Sequence, residues 1–202
     1  MPRSRLYAYR VRGTGRGGVV LWTGGEGDEP DRVLTLPPPA VRSGAPVSTE
    51  RGRARASTER GEVPLPAARR RVPVFTTVRQ ARRYASRLGR ALATPGAGTL
   101  ELARVQHWLA GPARRRVPPG PVLEAWNFFE DLARGLGETH RLPGQGPVHD
   151  SAYDKLFGAG HAAWTPAEER AVRELLTAGA DLWHSCPVTV RPRSSARPGA
   201  SA

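Results

Sequence analysis

Apolar side chains alternate along residues 5–12 and recur at every third or fourth position in segments beyond residue 76, and residues 37–71 carry almost no large apolar residue. Those periods belong to a strand and a helix. Strands followed by helices argue an α+β fold rather than an alternating parallel one. Tyr7, Tyr9 and Val11 alternate along residues 5–12 as in a half-buried strand, and a glycine turn leads to a second strand at Val19-Val20-Leu21-Trp22. Turn residues from Gly24 to Pro30 precede Arg32–Leu36, which closes the hairpin. Val72-Pro73-Val74-Phe75 reads as a short edge strand, because proline withholds a ladder donor. The expectation is a small N-terminal antiparallel sheet of three or four strands, followed by a cluster of four to five helices.

The first helix is expected over 78–88, capped by Thr77 with Gln80 in the capping-box position and stopped at Gly89. Val78, Ala81, Ala85 and Leu88 would form its buried face, packed on the sheet. A second helix over about 100–110 turns Leu102, Val105, Trp108 and Leu109 inward. Pro121 opens the strongest pattern, with Val122, Trp126, Phe129, Ala133 and Leu136 in one stripe. Asp150 is the expected cap of a short helix ending at Phe157. Thr165-Pro166-Ala167-Glu168 is a capping box that starts the last helix, whose Val172, Leu175, Leu176, Leu182 and Trp183 face inward. The organisation expected is a sheet-plus-helix part over 1–110 with a disordered insertion at 37–71, a linker at 111–120, a helical part at 121–186 and a disordered tail at 187–202. The helical part would pack on the same sheet or form a loosely separate lobe.

The net charge of +13 invites a nucleic-acid partner. Yet 30 of the 31 cationic residues are arginine and only Lys155 is lysine, a ratio that points to codon bias. Residues 72–116 carry +8, whereas residues 117–190 carry −5, so the helical half is acidic. Arginine clusters at Arg51–Arg55, Arg69–Arg71 and Arg114–Arg116 make nucleic-acid association the alternative function. No apolar run has the length of a signal peptide or a membrane span, and one cysteine, Cys186, excludes an intrachain disulfide. A cytoplasmic protein with no membrane contact is the simplest expectation.

Catalytic patterns are weak. Gly13-Thr14-Gly15-Arg16-Gly17-Gly18 fits the dinucleotide fingerprint, but a strand pattern follows it where a helix N-terminus is required. His184 and Cys186 supply two soft metal ligands at most, and no H-E-x-x-H occurs. Glu130 and Asp131, adjacent on a helix, point about 100° apart and do not converge as an acid/base pair. No enzymatic activity, cofactor or metal is therefore expected.

Trp126-Asn127-Phe128-Phe129-Glu130-Asp131-Leu132-Ala133 and Tyr153-Asp154-Lys155-Leu156-Phe157-Gly158 resemble a family of small uncharacterised bacterial proteins with a W-N-x-F-x-D-x-A helix and a Y-D-K-L-F-x-G segment. The resemblance covers about residues 72–185 and implies an immunity- or antitoxin-like role. Phe128 falls beside the Trp126/Phe129 face, where an exposed aromatic near Asn127 and Asp131 would suit a protein partner. Lys155 has resisted the arginine bias, which marks it as a compact cation with Asp154 or Asp150 as neighbours. The expected partner-binding residues are Asn127, Phe128, Asp131, Tyr153, Asp154 and Lys155.

Overall fold

A computed structural model of the chain describes residues 5–13, 15–25, 27, 29–38, 69–111, 116–157 and 163–191. Strands β1 (Leu6–Arg12) and β2 (Gly18–Thr23) form the expected antiparallel hairpin, with Tyr7 opposite Trp22 and Tyr9 opposite Val20. β3 (Arg32–Val33) pairs with Trp22 and Thr23, and β4 (Val72–Phe75) meets β2 at Val19 and Phe75. The fold is α+β, as expected, and two parallel pairings extend the antiparallel strands into a six-stranded mixed sheet of order β5-β1-β2-β4-β6, with β3 paired to β2 off that path. β5 (Gly98–Glu101) lies parallel to β1, and β6 (Val188–Arg191) parallel to β4.

These two strands correct three expectations. β4 is not an edge, because β6 covers its outer side. Val72 N–H donates to Pro187 O at 2.9 Å, so by strand alternation Pro73 turns its missing donor toward β2, where pairing is confined to Phe75. The stretch read as the beginning of a helix at 100 is strand through Glu101. The tail assigned to disorder begins with β6; residues 192–202 lie outside the described residues. So do residues 39–68 of the expected insertion. Its ends are tied together: Leu36 N–H donates to Arg71 O at 2.7 Å and Arg71 N–H to Leu36 O at 3.1 Å.

Both faces of the sheet are covered. Ala8, Val19, Leu21 and Phe75 meet α1 (Val78–Arg87) through Ala81 and Tyr84. Thr77 accepts the Gln80 backbone N–H as expected, but the Gln80 side chain bonds Thr76 rather than Thr77, so the reciprocal box is incomplete. Leu88 is 47 % exposed and Tyr84 takes the buried place, its ring 5.2 Å from Phe75.

Val11, Val20, Trp22, Val33, Val72 and Val74 face the other way, onto α2 (Leu102–Leu109), α3 (Pro119–Leu136), α4 (Pro147–Phe157) and α5 (Pro166–Ser185). α3 begins inside the expected linker, with Pro119 at its first turn, and ends at left-handed Gly137. The stripe Val122/Trp126/Phe129/Ala133/Leu136 is buried as read, but so are Ala125, Phe128, Asp131 and Leu132. α3 is enclosed by the sheet, α2, α4 and α5, which leaves it only a narrow open side. α5 approaches so closely that a Cβ on Gly179 would lie 2.2 Å from the Phe129 ring. Each of these fully buried aromatics contributes about 1.5–3 kcal/mol of burial free energy. α4 starts at Pro147, before Asp150, because the turn at Gly146 already accepts the His149 and Asp150 N–H groups. Thr165 and Glu168 form the full capping box at α5. Among the described residues no helix is long and apolar enough to cross a membrane.

Candidate functional site

The hairpin register places Tyr7, Tyr9 and Trp22 together on the helix side of the sheet. The Tyr9 and Trp22 rings meet edge to face, with centroids 4.7 Å apart. Tyr9 is opposite Gly98 in β5, and a Cβ there would lie 2.6 Å from the tyrosine ring, so only glycine lets the ring lie flat across that strand. α3 contributes Glu124, Asn127 and Asp131, whose spacing of three and four brings them onto one face. Asp31, from the loop before β3, accepts the Gly25 N–H at 2.8 Å. Together these groups line a cleft of about 430 Å³, within the range of sites that take small ligands or single side chains.

The cleft is electronegative in a chain of charge +13. Asp131 Oδ2 accepts the Trp22 indole N–H at 2.6 Å, and Oδ1 accepts the Arg134 guanidinium. Burial nevertheless raises the Asp131 carboxyl above its ordinary value, outweighing both donors. Glu124 is raised as well, by burial and then by the charge of Glu101. The Tyr9 phenol is raised by burial first, then by the carboxylates of Asp31 and Glu124. Among the described residues, no arginine or lysine lines the cleft.

The six expected partner-binding residues do not share a surface. Asn127 and Asp131 line the cleft, although Asp131 is only 5 % exposed and acts chiefly as a fixed acceptor for Trp22. Phe128 is fully buried, its ring 5.4 Å from both Trp22 and Trp183, which corrects its reading as an exposed anchor. Its side of α3, polar by sequence neighbours, is the side that meets the sheet. Tyr153 is half-buried against Trp126, and its hydroxyl donates to Asn127 Oδ1 at 2.9 Å. Asp154 is exposed on α4. Lys155 faces neither Asp150 nor Asp154 but Glu168, with Nζ 2.7 Å from both carboxylate oxygens.

Glu168 also accepts Ser151 Oγ at 2.7 Å and the Thr165 N–H at 2.6 Å. The Lys155 and Ser151 bonds lead the causes that hold its carboxyl down at about 2. The capping box of α5 and the sole lysine are thus one clamp joining α4 to α5.

Tyr7, Tyr9, Trp22, Asp31 and Glu124 were not singled out from sequence. The alternation of the two tyrosines and the position of the glycine turn already place them across from Trp22; what sequence lacks is the arrival of α3 above them.

The glycine run at 13–18 turns the hairpin, with Gly15 at φ +86°. Arg16 from this turn donates at 2.8 Å to the carbonyls of Trp183 and Cys186, capping the end of α5. Cys186 is buried there, its thiol pushed up to about 11 by burial. Glu130 and Asp131, expected to point apart, both meet the Arg134 guanidinium, and Glu130 Oε1 also accepts the Trp126 indole N–H at 2.7 Å. Among the described residues no group of three His, Cys, Asp or Glu side chains is disposed to hold a metal. A second hollow of about 380 Å³ lies beside α2, lined by Arg104, His107, Trp108 and Arg116. Arg70 donates to Thr35 Oγ1 at 3.4 Å, whereas Arg51, Arg53, Arg55, Arg114 and Arg115 lie outside the described residues.

No family model matches this chain, and neither a curated protein nor a solved structure matches it.

Proposed function

We propose that the chain is a non-enzymatic protein-interaction protein, of the immunity or antitoxin kind, that receives its partner at the acidic aromatic cleft. The observation that carries this reading is the convergence of two motif residues, Asn127 and Asp131, with three aromatic rings and two further carboxylates in one open hollow. Asp131 has both oxygens engaged, by Trp22 and Arg134, which suits a positioning group better than a proton-transferring base. Aromatic rings beside exposed polar groups are the composition of interface hot spots. Nucleic-acid association is the competing reading, and it draws on the Arg104/Arg116 hollow beside α2.

A photo-crosslinking residue in place of Tyr7, in the cells that make the protein, tests the proposal. A discrete protein adduct should form and should disappear when Asp31 and Glu124 are both reversed to Arg. It should persist when exposed Asp181, on α5, is reversed instead. An adduct indifferent to the cleft charges, or one that disappears only when Arg104 and Arg116 are changed to Glu, would overturn it.

A further inference from the structure

The cleft combines features that seldom occur together by accident of packing. Its walls include the rings of Tyr7, Tyr9 and Trp22, its charge comes from carboxylates on two separate elements, and no cationic side chain among the described residues lines it. Asp131 is already paired with Arg134, so the charges left for a ligand are those of Asp31 and Glu124. Among the described residues these carboxylates form no group of three that would hold a metal ion, and an organic cation is the ligand whose chemistry the aromatic walls also match. Flat aromatic faces next to separated carboxylates fit a planar, weakly hydrated cation that stacks and donates along several directions. A guanidinium has that shape; an ammonium is a compact point charge that holds its water more firmly. The amide of Asn127 adds one constraint. Its Oδ1 already accepts the Tyr153 hydroxyl, and its N–H donors match a peptide carbonyl.

We infer that the cleft recognises an arginine side chain of the partner protein, its guanidinium held by Asp31 and Glu124 over the aromatic wall and its backbone carbonyl accepting from Asn127. This rests on the protein-interaction reading above and supplies the chemistry by which the partner is selected. A basic partner would meet an acidic cleft on the acidic helical half of a chain whose net charge of +13 otherwise opposes its approach.

The test is an NMR titration of the ¹⁵N-labelled full chain with Nα-acetyl-arginine methylamide, its citrulline counterpart, its lysine counterpart and agmatine. Citrulline keeps the shape of arginine and lacks the charge. The arginine compound should bind at least tenfold more tightly than the citrulline compound and severalfold more tightly than the lysine compound, shifting the Trp22 indole N–H. Asp31→Asn and Glu124→Gln should each weaken it threefold or more, with thermal midpoints unchanged. Agmatine, which lacks the peptide carbonyl, should bind more weakly; agmatine binding as tightly as the capped arginine would overturn the assignment to a protein side chain and point to a free amine. Equal binding of arginine and citrulline compounds, or binding unaffected in the Asp31→Asn/Glu124→Gln double variant, would overturn the inference outright. A crosslinked partner that depends on the cleft while arginine shows no preference over citrulline removes only this inference. Selective arginine binding with no cleft-dependent partner removes the protein-interaction reading instead.

Discussion

Asp131 beneath the sheet and Glu168 between α4 and α5 are each only 5 % exposed, yet their carboxyl groups move in opposite directions. Glu168 is surrounded by donors: an ammonium on both oxygens, a hydroxyl and a backbone N–H. Asp131 has an indole N–H and one guanidinium. Burial is the leading influence on Asp131, whereas on Glu168 it ranks below the Lys155 and Ser151 hydrogen bonds, so depth and donor supply together set the two directions. The difference separates two kinds of region. Glu168 is a closed joint with its hydrogen bonds spent internally, whereas Asp131 borders a cleft whose negative charge has been left uncompensated, as groups at binding sites commonly are.

The largest expected effect falls on what the two regions share. Trp126 packs its ring 5.2 Å from Tyr153 of α4 and, from the middle of α3, supports the helix that carries the cleft. Trp126→Ala should cost about 3–5 kcal/mol in urea denaturation. A cost below about 1 kcal/mol would show that the two regions stand independently.

Glu168→Gln should cost about 1–3 kcal/mol near neutral pH, because Lys155 loses its counter-charge. With the folded carboxyl at about 2 against an ordinary 4.5, ionised Glu168 stabilises the fold fully above pH 4.5 and progressively less as pH falls toward 2. The gap between wild type and Glu168→Gln should therefore close across that window. Denaturation midpoints that run parallel down to pH 2 would contradict the clamp.

Asp131→Asn should have a smaller effect, about 1 kcal/mol near neutral pH, with the opposite pH trend. A raised folded carboxyl favours the protonated form, so its contribution is present below the ordinary 3.8 and is lost as pH rises through the raised value. Relative to wild type the asparagine variant should gain stability as pH rises from 3 through that point. A gain on falling pH would mean that the Trp22 and Arg134 donors outweigh burial after all.

The smallest change is expected for Lys155→Arg, within about 1 kcal/mol, since arginine keeps the charge and changes the reach. Its recovery of a partner, compared with that of Glu124→Gln, separates a clamp from a contact surface. Loss with Lys155→Arg alone would move the binding surface to α4.

Features set by a few neighbouring residues were legible in the sequence. The hairpin follows from alternation around a glycine turn, and the Thr165/Glu168 box from two side chains three residues apart. Features set by distant partners were not. Phe128 looks lateral on a helical wheel because the wheel omits the sheet that meets its other side. Lys155 looks like a neighbour of Asp150 or Asp154 because its actual partner, Glu168, is thirteen positions away. β5 and β6 are four residues each, too short to show a period, and exist because β1 and β4 offer them edges. Two cleft residues, Asn127 and Asp131, were visible as part of a motif on α3; the aromatic wall needed the hairpin and the helix in one frame.

The pairing of β6 with β4 also has a consequence in time. During synthesis β4 is complete at Phe75, while its parallel neighbour begins at Val188, more than a hundred residues later. At ordinary translation rates of about 5–20 residues per second, the outer edge of β4 waits roughly 6–20 s for its partner. Throughout that interval Val72, Val74 and Phe75 border a strand with unanswered backbone donors and acceptors, the kind of edge on which nascent chains associate. Until that four-residue strand arrives, β4 is therefore the edge of the sheet in the growing chain.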